Sequence, residues 1–279
     1  EYRKGIYTML YDGEGQINLS GKDIRIIERS DGKIVFENVS GKTMGFDILS
    51  TDPAGTGDYI RNISIVHEDH VGLHEAGAIF NPDWLDVVSN ARELRFMDWM
   101  QTNNSGVTSW DEATTVDYFS WRSTPLEVMV RLANETGIDP WFNMPHMADD
   151  EYVYNFATYV RDNLDPKLTA RVEWSNEVWN GVFSQHQYAK EQGLALMNPP
   201  DDFRAALHYQ GMRATEIALI WEDVFSEKPE GPQLINVLGG WQANSWANNQ
   251  VLTASSWKEA DPENYIPPHE VFDELAVTT

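Results

Sequence analysis

Cysteine is absent from the 279 residues, which removes disulfides, thiol nucleophiles and cysteine-ligated zinc in one step. That absence leaves the compartment open. No run of about 18 apolar residues occurs, so no membrane span is expected. The opening Glu1-Tyr2-Arg3-Lys4 has no signal-peptide core. Positive charge is scarce: 20 Lys and Arg face 44 Asp and Glu, a formal charge of -24. Phosphate binding needs cationic surface, so nucleic acid and anionic membrane are disfavoured as partners, although a local basic pocket stays open. Such acidity reads first as a solubility or high-salt adaptation. Also missing are a phosphate-binding Gly loop, a nucleophile elbow and a kinase signature, so nucleotide chemistry is not expected and no cofactor is assigned.

What is present is a chain long enough to bury a sizeable core, as one large α/β domain or a barrel with a smaller appendage. Its first part reads as β-structure. Gly5-Ile6-Tyr7-Thr8-Met9-Leu10-Tyr11, Gln16-Ile17-Asn18-Leu19, Ile24-Arg25-Ile26-Ile27 and Lys33-Ile34-Val35-Phe36 are separated by Asp-Gly and Ser-Gly turns. Such alternation between turn residues marks antiparallel hairpins, so residues 1–57 are expected to form a small β-sandwich.

After Asp52-Pro53-Ala54-Gly55-Thr56-Gly57 the texture changes to strands alternating with helices over residues 58–279. Strands are expected at Tyr59–Val66, Glu93–Met100, Pro140–His146, Ala170–Asn176, Pro232–Gly240 and Val271–Thr279. Helices are expected from Asn81-Pro82, from Thr124-Pro125, after Asp149-Asp150, from Asp202 to Glu222 and around Val251–Ala260. Repeated strand-helix units imply a parallel sheet covered by helices, here a (β/α)8 TIM-type barrel of which residues 58–279 supply strands one to six.

Chemistry in such a fold sits at the C-terminal strand ends. The most informative stretch is there: Arg171-Val172-Glu173-Trp174-Ser175-Asn176-Glu177-Val178-Trp179-Asn180 ends in an Asn-Glu pair framed by indoles. A carboxylate at a strand end, beside an amide and among aromatic faces, suits proton transfer to a glycosidic oxygen. Other strand ends carry Arg95, Asp98 and Trp99, then Asn143 and His146, then Trp241 and Gln242. Together with Trp179 they describe a polar cleft with stacking surfaces for sugar rings.

These residues resemble the clan-A glycoside hydrolases, retaining β-glycosidases built on a (β/α)8 barrel, over roughly Ile60–Thr279. The resemblance implies Glu177 as acid/base and Asn176 as binder of the sugar 2-hydroxyl. It also places Arg95 on the second strand and His146 near the third, holding sugar or partner carboxylate. The clan's nucleophile is a Glu at the end of the seventh strand, and only six strands are counted here. The expectation is therefore a hydrolase of β-linked polysaccharide, endo-acting and secreted or periplasmic. Its nucleophile is expected beyond residue 279 or on a second polypeptide that completes the barrel. Two other readings stay open: a non-catalytic carbohydrate-binding protein, and a polysaccharide lyase using Arg95 and His146.

Each residue also has a plainer reading. Glu177 reads alternatively as a capping carboxylate or ion-pair partner of Arg171, Arg95 as an anchor, His146 as a buried hydrogen-bonded ring and Asp98 as an outer acceptor. Trp84, Trp221 and Trp257 read as core. His67-Glu68-Asp69-His70 with His74-Glu75 gathers three histidines, but the spacing is not His-Glu-x-x-His, so no metal site is assigned. Asn38, Asn62, Asn103 and Asn134 match the glycosylation acceptor pattern.

Overall fold

The computed structural model describes residues 3–118 and 120–278, so Thr279 of the expected last strand lies outside the described residues. The chain divides after Asp86 into two compact units, and each is described by itself.

The first unit contains β1 (Gly5–Asp12), β2 (Gly15–Gly21), β3 (Ile24–Ser30), β4 (Lys33–Asn38), β5 (Met44–Thr51) and β6 (Arg61–His67), followed by the short α1 (Val71–Glu75). The strands form one antiparallel sheet of order β3-β4-β1-β6 and a second of β2-β5. Inward positions from both sheets meet in one core of Met9, Ile17, Ile34 and Phe36, with Leu19, Met44 and Ile60 packed against it. Period-two alternation buries every second residue of β4, whereas β3 and β5 are exposed beyond their first residues, Ile26, Ile27, Phe46, Ile48 and Leu49 included.

The second unit takes up the last two residues of α2 (Pro82–Val88), which spans the division, and holds a parallel sheet of β7 (Glu93–Arg95), β8 (Asp139–Met144), β9 (Thr169–Trp174), β10 (Gln233–Trp241) and β11 (Glu274–Thr278). Spatial order follows chain order, β11-β10-β9-β8-β7. The crossovers carry α3 (Leu126–Thr136), α4 (Asp150–Asn163), then both α5 (Ser184–Leu196) and α6 (Asp202–Ser226), and finally α7 (Ser245–Thr253) and α8 (Ser255–Ala260).

The expected (β/α)8 barrel is not what forms. Residues 61–67, read from the sequence as the barrel's first strand, pair antiparallel with β1 in the first unit, with Met9 opposite Ile65 and Thr8 opposite Val66. Five parallel strands remain, as an open half-barrel sheet, and the crossovers hold one helix or two rather than a regular alternation. The expected strand over Glu93–Met100 is also short. After Arg95 the chain curls, with Met100 N–H donating to Phe96 O at 2.8 Å and Gln101 N–H to Asp98 O at 3.0 Å.

The two faces of the parallel sheet differ in chemistry. Val172 and Trp174 of β9 and Phe142 of β8 point to the helices, where Phe142 meets Phe156 at 5.2 Å and Trp221 at 6.3 Å between ring centroids. Trp221 and Trp257 are core, as their helical positions implied. Along the same strand Arg171 and Glu173 alternate onto the opposite face, beside Trp141 and Asn143 in register. Helix α5 approaches α6 closely because Gly193 has no side chain; a Cβ there would lie 2.2 Å from Ala205 O.

Candidate functional site

The site grows from the C-terminal end of β9. Ser175 N–H donates to Met144 O at 2.9 Å, one more rung beyond the strand, and then the backbone turns. Ser175 has φ 62 and Glu177 has φ 44, both left-handed and neither glycine. Each such residue costs on the order of 1–2 kcal/mol, and clustered strain of this kind points to function. Between them Asn176 is buried while Glu177 is only half-buried. The turn is closed by Asn180 N–H on Glu177 O at 2.8 Å, and Asn180 Nδ2 donates to the Glu177 carboxylate at 3.0 Å.

Asn176 is held on both ends of its amide. Its Oδ1 accepts from Arg95 Nη2 at 3.0 Å, and its Nδ2 donates to Asn103 Oδ1 at 3.0 Å. Gln185, fully buried near the start of α5, donates Nε2 to Asn103 Oδ1 at 2.7 Å and to Asn176 O at 2.8 Å, and accepts from Asn104 N–H at 3.0 Å. These bonds tie the β7–α3 connection to the β9 turn.

Beneath Asn176 lies Glu173, whose side chain is 3% exposed. Its Oε2 accepts from Arg95 Nη2 at 2.7 Å, Asn143 Nδ2 at 2.8 Å, Trp141 Nε1 at 3.1 Å and Arg95 Nε at 3.3 Å. Burial pushes the Glu173 carboxyl up, against the opposing pull of the Arg95 guanidinium and the donated hydrogen bonds. Arg95 also lies over the Trp141 ring, 5.0 Å from its centroid. Gly239 leaves room for this carboxylate, since a Cβ there would stand 2.8 Å from Glu173 Oε1.

Trp179 and Trp241 stack on each other, with centroids 4.5 Å apart and planes 3° from parallel. Asn248 grips the Trp241 backbone through both its N–H and its C=O, at 2.8 and 3.1 Å. The structure thus brings Arg95 and Asn176 into one network with Glu177 beside it, and pairs Trp179 with Trp241.

The other expected residues stand apart from that network. His146 is buried, its ring edge-on to Tyr188 at 5.3 Å, and its Nδ1 has no partner among the described residues. Desolvation pushes its pKa down to about 4, so the ring is neutral. Asp98 is exposed on the curl after β7, and Trp99 packs against Phe96 at 5.4 Å. Gln242 is exposed, its backbone N–H donating to Thr278 O at 2.9 Å. Arg171 does not reach for Glu177. It pairs instead with Glu93, Asp139 and Glu274 toward the N-terminal ends of the strands.

Sequence reasoning passed over Glu173, Asn103 and Gln185. Glu173 carried a signal, because a carboxylate inside an otherwise apolar buried strand requires partners. Asn103 was visible only as a glycosylation pattern, and Gln185 carried no local signal at all. In the first unit His67 lies 3.3 Å from Asp69 and His70 lies 3.7 Å from Asp83, and among the described residues no group of three or more ligands is arranged to hold a metal. No helix of the described residues is long and apolar enough to cross a membrane. No family model, no curated protein and no solved structure matches this chain.

Proposed function

We propose that the second unit carries the acid/base half of a glycoside hydrolase acting on β-linked polysaccharide, with Glu177 as the proton donor to the leaving oxygen. The observation that carries this reading is the turn at residues 175–177. Two strained residues flank a locked amide and set Glu177 outside the saturated network, its carboxylate held by Asn180 alone among the described residues. A group that must give and take a proton is served by such partial exposure beside a rigid scaffold.

In a retaining double displacement Glu177 protonates the glycosidic oxygen as a second carboxylate attacks the anomeric carbon, and then activates the water that releases the sugar. Glu173 does not suit the attacking role, because Arg95, Trp141 and Asn143 hold one of its oxygens in place below the turn. The nucleophile is proposed to come from outside residues 1–279, and the polypeptide carrying it is a partner to be found. Arg95 and Asn176 then act together, one fixing the other, and Asn176 orients the sugar. Action on polysaccharide outside the cytoplasm belongs to the same proposal.

The test uses the full-length protein, wild type and Glu177→Gln, against a panel of soluble β-glucans, β-mannans and β-xylans, following reducing ends. Loss of about 100-fold or more in rate with unchanged folding supports the assignment. A fully active Glu177→Gln protein sinks it. Wild-type binding of glycan without any cleavage, even with the nucleophile-bearing partner present, would favour the binding-protein reading, which the self-stacked Trp179–Trp241 pair also fits.

A further inference from the structure

A polar cleft of about 460 Å³ opens along the β7–α3 connection, lined by Gln101, Asn103, Asn104, Ser105 and Arg122 among others. That volume lies within the roughly 300–1,000 Å³ of small-ligand pockets. One wall is the back of the site already described, because the Asn103 side chain that lines the cleft accepts from Asn176 Nδ2 at 3.0 Å. Thr114 and Ser123, which also line the cleft, join through hydroxyls 2.8 Å apart, and Trp121 Nε1 donates to Val116 O at 3.3 Å. Connections at the strand ends of α/β units commonly carry binding groups.

Charge makes this cleft unusual in so acidic a chain. Arg122 makes no ion pair or hydrogen bond among the described residues, a state it shares with Arg92, which does not line this cleft, whereas Arg95, Arg131, Arg161, Arg171, Arg204 and Arg213 of the same unit are paired. The cleft's own carboxylate, Glu112, is already committed, accepting from Thr108 N–H at 2.7 Å, Thr108 Oγ1 at 3.0 Å and Ser109 N–H at 3.4 Å. Trp121, adjacent in sequence, is 48% exposed. An unengaged guanidinium in a polar cleft is the chemistry that holds the carboxylate of an acidic sugar.

We infer that this cleft is a subsite for a single uronic acid residue, with Arg122 binding the sugar carboxylate. The inference rests on the carbohydrate reading above and narrows its substrate to a mainly neutral glycan bearing isolated acidic residues. The formal charge of -24 repels a continuous polyuronate, while one carboxylate facing one free guanidinium is attracted at short range.

The test titrates the wild-type chain and Arg122→Gln with methyl β-D-glucuronide and methyl β-D-glucoside, reading binding by NMR at millimolar ligand. Expected is a preference of about tenfold for the glucuronide in the wild type, the size of one charge-assisted pair, with the Arg122 Nε–H signal shifting on binding. In Arg122→Gln the preference disappears while weak glucoside binding persists and the thermal midpoint is unchanged. Equal binding of the two sugars, or a preference that survives Arg122→Gln, overturns the acidic subsite and leaves the carbohydrate reading standing. Binding of neither sugar overturns this subsite as well, and the Glu177 assay judges the carbohydrate reading independently.

Discussion

Replacing Arg95 by Met keeps much of the aliphatic volume over Trp141 and deletes the one cation beside Glu173. The remaining carboxylate is 3% exposed and keeps Trp141 Nε1 and Asn143 Nδ2 as donors, but has lost its countercharge. Removing one partner of a buried pair costs about 3–5 kcal/mol, against total stabilities of roughly 5–15 kcal/mol, so the variant should be severely weakened at neutral pH. The loss should depend on pH in a defined sense. Burial raises the Glu173 carboxyl and Arg95 opposes that rise, so without Arg95 the folded-state pKa climbs further above its unfolded value. The folded protein then binds a proton more tightly than the unfolded chain. The penalty is absent below the unfolded pKa of about 4.3 and sets in fully as pH rises through the folded pKa. Urea unfolding of Arg95→Met, followed by tryptophan fluorescence at about pH 4.3 and pH 8, should show most of the loss only at the higher pH. Adding Glu173→Gln should remove that dependence and recover part of the stability. A loss below about 1 kcal/mol, or one equal at both pH values, would refute the network as described.

Three further outcomes follow from the same geometry. Glu177→Gly should leave stability unchanged or raise it by up to ~1 kcal/mol, because φ 44 is free to glycine, while glycan cleavage is lost; strong destabilisation would contradict the strain. His146, neutral with a pKa of about 4 against an ordinary 6.5, should make stability fall by up to roughly 3 kcal/mol as pH drops through that window, since the unfolded chain takes the proton first. Thermal midpoints of a His146→Phe variant should be flatter over the same range, and superimposable pH profiles would count against the burial. Gly239→Ala should cost about 1–3 kcal/mol in denaturant unfolding, because its Cβ meets a Glu173 carboxylate already fixed by Arg95, Asn143 and Trp141; a neutral substitution would show the carboxylate free to move.

How much of this was legible beforehand depends on which interactions decide each element. The β8, β9 and β10 strands and helices α3, α4 and α6 announce themselves through local signals: Asp149 and Asp201 cap their helices, and the apolar stripe of α4 repeats on one face. Partnering is a different matter. The stretch Arg61-Asn62-Ile63-Ser64-Ile65-Val66 reads as a strand either way, and only its register with β1 shows that it belongs to the first unit. Its alternation of polar and apolar residues was the available clue, since a strand of a covered parallel sheet reads as a nearly continuous apolar run. Helix α5 went unread because its residues show no clear apolar stripe and Gly193 interrupts them; that glycine is there for close helix packing. At the site, Asn176 and Glu177 were legible as a motif. The residues that fix them come from positions about 70–80 apart in the chain, such as Asn103 and Arg95, and no local pattern encodes such contacts.

Arg171 gives the parallel sheet a register key. One guanidinium on β9, 6% exposed, meets carboxylates from β7, β8 and β11, and so touches four of the five strands with a single side chain. A slip of one residue in either edge strand would carry its carboxylate to the helix-facing side, away from the cation and into apolar packing. The short β7, with only three residues of pairing to β8, has little else to define its alignment. The placement of Arg95 opposite Trp141, and with it the orientation of Asn176 at the far end of the sheet, therefore depends on a charge cluster at the other end that touches no part of the candidate site.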